Sequence, residues 1–133
     1  HVELVQRADM VLNFLADHNR ITQDHLETLW VCARSSHEAV FRVLSLVITD
    51  LASVLSPDLR VFLFRQIATL PVRNYDEQTL LLVYNFTIKA LQAERRDERK
   101  QRLDEEERRR RHLQGQGQGQ GKGKGKGTKK GKG

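Results

Sequence analysis

Glycine is missing from the first 114 of the 133 residues; all nine glycines lie between Gly115 and Gly133. A P-loop and a dinucleotide-binding turn both use glycine to bring backbone N–H groups close to a phosphate, so neither occurs in that stretch. Cysteine occurs once, as Cys32, so no disulfide can form within the chain, which suits a reducing compartment. One cysteine and the scattered His1, His18, His25 and His37 match no zinc-ligand spacing, and no cofactor is expected. Long apolar runs are missing too. The stretch Leu80–Tyr84 is far shorter than the roughly 20 residues that span a bilayer, so no membrane segment is expected. No signal peptide is visible, and the chain opens on His1 rather than methionine, as expected of a fragment cut at its front.

What is present divides sharply. Residues 1–92 carry 8 Lys+Arg against 10 Asp+Glu, a net −2, and residues 93–133 carry 15 against 7, a net +8; these sum to the +6 of the whole chain. The basic balance therefore belongs to the second part alone. The first part is apolar enough to fold, with a core of modest size.

Residues 1–92 read as consecutive amphipathic helices with almost nothing between them. Val5, Ala8, Val11, Leu12 and Leu15 follow the helical template in the first, and Asn19 is placed to end it in a left-handed turn. Thr22 is a cap for the second, and Ile21 with Leu26 has the spacing of a hydrophobic staple. Ser35 and Glu38 have capping-box spacing ahead of a third helix, Val40–Leu55, apolar over much of its circumference. Ser56-Pro57-Asp58 opens a fourth, which Pro71 stops. Asn74 and Glu77 are spaced to cap a fifth, whose apolar positions are Leu80, Leu81, Val83, Tyr84, Ile88 and Leu91. Short connections make neighbours antiparallel, which permits either a bundle or an α-solenoid. A helix pair takes roughly 35 to 40 residues, near the armadillo and HEAT range, although no residue-level repeat is visible.

Residues 93–113 are nearly all charged, with five acid-before-base pairs at i, i+4: Glu98–Arg102, Asp104–Arg108, Glu105–Arg109, Glu106–Arg110 and Glu107–Arg111. That orientation favours a solvated helix, and without an apolar seam it is no coiled coil. Residues 114–133 alternate Gln-Gly and then Lys-Gly, a composition that buries nothing and is expected to be disordered.

Few residues offer chemistry. Cys32 with His25 or His37 is a conceivable nucleophile pair. Beside Trp30 in mid-helix, however, Cys32 reads as a small buried hydrophobe. Trp30, Phe41, Phe62, Phe64 and Phe86 recur at helical spacing and read as core. Lys122, Lys124, Lys126, Lys129, Lys130 and Lys132 form a possible polyanion-binding tail that would hold nucleic acid non-specifically by counterion release. Arg108–Arg111 is a short candidate for a nuclear import signal.

The segments His25-Leu26-Glu27-Thr28-Leu29-Trp30, Ser36-His37-Glu38-Ala39-Val40, Leu55-Ser56-Pro57 and Tyr75-Asp76-Glu77-Gln78-Thr79-Leu80 occur in that order. Over residues 20–92 the chain resembles the armadillo-like helical repeat region of the very large ubiquitin-specific proteases, the fat-facets-type deubiquitinases. In that family the repeats flank a papain-like catalytic domain. Neither its nucleophile box nor its histidine box is present here, since Cys32 stands in Trp-Val-Cys-Ala-Arg. The resemblance therefore implies a scaffold and carries over no catalytic residue. The Arg-rich helix and Lys-Gly tail depart from the family pattern.

The expectation is an all-α chain: an armadillo/HEAT-like α-solenoid segment over residues 1–92, a charged helical extension over 93–113 and a disordered tail over 114–133. As a function it implies a non-catalytic scaffold or protein-interaction segment of a cytoplasmic, or nuclear, deubiquitinase, with protein partners on the helical surface. The alternative is a helical carrier whose basic tail binds RNA or other polyanions.

Overall fold

The computed structural model describes residues 2–118 and 131. Five α-helices follow in order: α1 (Val2–Asp17), α2 (Gln23–Arg34), α3 (Glu38–Val54), α4 (Pro57–Ala68) and α5 (Glu77–Gln118). One 3-10 turn, Val72–Asn74, lies between α4 and α5, and no strand occurs among the described residues, so the fold is all-α. The chain separates into two compact units, His1–Arg96 and Asp97–Gly133.

The helix ends explain why the connections are short. Asn19 takes a positive φ of 52°, and two bonds close the end of α1 around it: Asn19 N–H to the Ala16 carbonyl at 3.0 Å and Arg20 N–H to the Leu15 carbonyl at 2.7 Å. This pair is a Schellman motif, which asparagine tolerates better than other non-glycine residues. Thr22 caps α2 as expected, and the staple residues Ile21 and Leu26 are both buried. Pro57 occupies the first position of α4, where its missing N–H leaves no bond unmade.

Two expected capping boxes are not formed. Ser35 closes α2 instead of opening α3: its hydroxyl donates to the Val31 carbonyl at 2.9 Å, and His37 is the residue before the first turn of α3. Asn74 belongs to the 3-10 turn, and Asp76 caps α5 by accepting from the backbone N–H and the hydroxyl of Thr79, both at 2.8 Å. In each place two polar residues stood close enough to compete for one helix end, and spacing alone does not choose between them.

One core holds the first unit together. Trp30, Phe86, Leu26, Ile48, Leu51, Leu63, Ile67 and Leu82 are all but fully buried, and burial of such a side chain is worth about 1.5–3 kcal/mol. α1 packs on α3, and α2 packs on both α3 and α4. α5 reaches α3 through Lys89, whose Nζ donates to Asp50 at 2.6 Å, and Arg96, whose guanidinium donates to the Ser53 carbonyl at 2.6 Å. It meets α4 where Phe86 stacks on Phe64 with ring centroids 6.2 Å apart. On α3, Leu44 lines a groove beside α1 while Ser53 meets α5. Nine residues separate the two, which at about 100° per residue places them on opposite sides of the helix. α3 thus lies between α1 and α5.

Arg60 is a buried charge, and its guanidinium donates to the Leu55 carbonyl at 3.1 Å across the α3–α4 connection. The buried face of α5 differs from the expected one. Leu80, Leu81, Tyr84 and Leu91 are half or more exposed or nearly so, and Thr79, Leu82, Phe86 and Ala93 turn inward. The run Leu80–Tyr84 is apolar on every side of the helix, so periodicity within it does not select a face.

In the second unit the charged helix carries the ion pairs Glu106–Arg110 at 3.0 Å and Glu107–Arg111 at 2.6 Å. A further i, i+4 bond joins Gln116 to His112 at 3.1 Å, within a helix that runs to Gln118. The tail expected over residues 114–133 otherwise falls outside the described residues, Gly131 apart.

Candidate functional site

The side chains singled out for chemistry do not converge. Cys32 is exposed, not buried as expected: it lies two residues from Trp30, about 200° around the helix, and so at the edge of the core face on the Leu29 side, where it borders the groove between α1, α2 and α3. His25 is committed to the start of α2. Its Nδ1 accepts the Thr22 N–H at 3.1 Å, and its own N–H donates to Thr22 Oγ1 at 3.4 Å. A nitrogen that accepts a backbone proton is not free to act as a base. His37 precedes α3 and makes no side-chain cap bond. His18 bonds the Phe14 carbonyl at 2.8 Å and packs against the Phe14 ring. Among the described residues, no three of His, Cys, Asp and Glu are placed to hold a metal ion. Lys122, Lys124, Lys126, Lys129, Lys130 and Lys132 lie outside the described residues.

The aromatic residues separate into two groups. Trp30 and Phe86 are core, and Phe41 and Phe62 pack against it. Phe64 is 42 % exposed. The Trp30 Nε1 is buried without a hydrogen-bond partner among the described residues.

Three surface features remain. The first is an apolar groove of about 710 Å³ between α1, α2 and α3, walled by Ala8, Val11, Leu12, Leu29, Val40 and Leu44. On α1 outside the core, Met10 and Phe14 are 71 % and 61 % exposed. The second is a groove of about 420 Å³ between α4 and α5, with Val61, Phe64, Ala90 and Leu91 in its walls beside Arg65 and Glu94. The third is a polar cleft of about 580 Å³ where the end of α2 meets the starts of α3 and α5, bordered by Arg34, Glu38, Asp76 and Glu77. The N–H of Thr79 and, after it, the Thr79 hydroxyl hold the Asp76 carboxyl below the ordinary carboxylate range. That perturbation comes from capping and needs no ligand.

Spacing analysis missed the capping roles of His25 and Asp76, the buried Arg60 and the exposed faces of α1 and α4. The first two left a trace: Thr22-x-x-His25 has the spacing of a capping box with histidine in place of Glu or Gln, and Asp76 is a favoured cap residue just ahead of the last helix. Among the described residues, no helix is long and apolar enough to cross a membrane.

No protein-family model matches the chain. No solved structure matches it either. The chain is 30 % identical over 91 residues to human ubiquitin carboxyl-terminal hydrolase 34, and equally to the mouse protein. The matched stretch is 68 % of this chain but 2 % of each of those proteins, so the likeness is to one short region of a much longer hydrolase.

Proposed function

We propose that this chain is a non-catalytic scaffold segment of a large ubiquitin-specific protease, built as a short armadillo/HEAT-like stack. α1 packs on α3 and α2 on α4, and α5 reaches α3 through Lys89 and Asp50, which arranges α1, α3 and α5 as one layer and α2 and α4 as the other. The observation that carries this reading is the pair of apolar surfaces outside the core. Met10 and Phe14 stand exposed on α1, and Val61, Phe64 and Leu91 stand exposed on α4 and α5. A closed bundle buries such residues against each other, whereas an open stack leaves them for the next layer or for a partner. The deubiquitinase link rests on the similarity to ubiquitin carboxyl-terminal hydrolase 34. The role is passive: the stack positions a catalytic domain or presents a surface to a protein partner.

The test is a segment exchange. The matching region of human ubiquitin carboxyl-terminal hydrolase 34 is deleted, or replaced by this chain's counterpart with or without Trp30→Ala. Accumulation of each product and its cleavage of a fluorogenic ubiquitin substrate are then measured. The intact graft should restore both, and the deletion and the Trp30→Ala graft should not. A graft no better than the deletion would sink the proposal.

The net charge of +8 over residues 93–133 supports a second reading, in which the tail binds polyanions.

A further inference from the structure

We infer that residues 97–118 are a free-standing α-helix, a rod held by its own charge pairs that serves as a rigid spacer. Every residue over 98–117 is exposed, and a side chain added at Gly115 or Gly117 would meet nothing within 4 Å. Leu103 and Leu113 are the large apolar residues of this stretch, 59 % and 68 % exposed. They are ten residues apart and so about 80° apart around the helix, which gives no seam for a second helix. Helices in proteins take most of their stability from an apolar face packed on a neighbour. This one has no such face, so its stability has to come from within.

Three properties of the sequence supply it. Residues 98–114 contain no glycine, proline or β-branched residue, and Asp104 and His112 are their only weak helix formers. Next is the order of charge. Asp104-Glu105-Glu106-Glu107 precedes Arg108-Arg109-Arg110-Arg111, so each arginine has an acid four residues before it, the favourable orientation. Two of these pairs are closed, Glu106–Arg110 at 3.0 Å and Glu107–Arg111 at 2.6 Å. The last is nucleation. The first turn is the costly step in forming a helix. Here it is already formed, because the same helix begins at Glu77 with Leu82, Phe86 and Ala93 buried in the first unit. Residues 97–118 need only propagate it, and at about 1.5 Å per residue their ends lie about 32 Å apart.

Distances between spin labels on the full chain test this, with Cys32→Ser removing the native thiol. Labels at Gln101→Cys and Gln116→Cys should give one narrow distribution for a backbone separation of about 23 Å, the helical rise over the 15 residues between them. A second variant exchanges the two charged blocks: Asp104→Arg, Glu105→Arg, Glu106→Arg and Glu107→Arg with Arg108→Asp, Arg109→Glu, Arg110→Glu and Arg111→Glu. It keeps the composition and reverses every pair, so its distribution should broaden. A single label at Leu103→Cys should show no defined distance between chains. A broad distribution in the unexchanged chain overturns the inference. So does a defined distance between chains, which would make the segment one member of a helix pair. Exchanged blocks that leave the distribution as narrow also overturn it, because the charge pairs would not be what holds the rod. None of these outcomes touches the segment-exchange test.

Discussion

Thr22 and His25 cap α2 reciprocally, each backbone N–H held by the other's side chain at 3.1 and 3.4 Å. The two bonds form one unit, so their loss should not add. Thr22→Ala is expected to cost about 1 kcal/mol. His25→Ala should cost a similar amount, and the double variant little more than the larger single. Denaturant unfolding measures all three, and strictly additive losses would show that the residues act separately.

Asp76 caps α5, and the Thr79 N–H, then the Thr79 hydroxyl, hold its carboxyl below its ordinary value of 3.8. A depressed carboxyl contributes stability that is fully present above the unfolded value and is lost as pH falls through the folded one. Asp76→Ala should therefore lower stability by about 1 kcal/mol near neutrality. The gap to wild type should narrow as pH falls below 3.8. A gap independent of pH would mean that the carboxylate charge contributes nothing at this helix end.

Trp30 and Cys32, two residues apart, should respond in opposite ways. Trp30 is 1 % exposed in the core, and Trp30→Ala should cost about 3–5 kcal/mol. Cys32 is exposed, and Cys32→Ser should stay within about 0.5 kcal/mol of wild type. The chain alone should not cleave a fluorogenic ubiquitin substrate. Cleavage that vanished in Cys32→Ser would make the thiol a nucleophile and end the scaffold account.

The tail gives a separate prediction. Deleting Gln114–Gly133 removes all six of its lysines. Retention on RNA should be lost, and that of the intact chain should fall steeply with salt. RNA binding that survives the deletion would assign it elsewhere.

Much of this fold is legible in the sequence because its helices announce their own ends. Asn19, Thr22 with Ile21 and Leu26, and Pro57 stand where the expected turns and caps form. The errors share one physical origin. Where several residues qualify for one role, local spacing is degenerate and tertiary packing decides. Ser35 and His37 competed at one junction, Asn74 and Asp76 at another, and the run Leu80–Tyr84 offered α5 more apolar faces than it buries. Cys32 was misread because proximity to Trp30 in sequence is not proximity on a helix surface. The exposed faces of α1 and α4 were illegible for a related reason: Met10, Phe14, Val61 and Phe64 carry the same apolar signature as the core.

The central claim is that the helices form an open stack, with the outer faces of α1 and of α4 and α5 apart. Disulfide trapping tests it directly. Phe14→Cys and Leu91→Cys are combined in a Cys32→Ser chain and oxidised at high dilution, where encounters between copies are rare. The account predicts no crosslink within one chain. Rapid formation of the bond within single chains would place α1 against α5, close the bundle and contradict it.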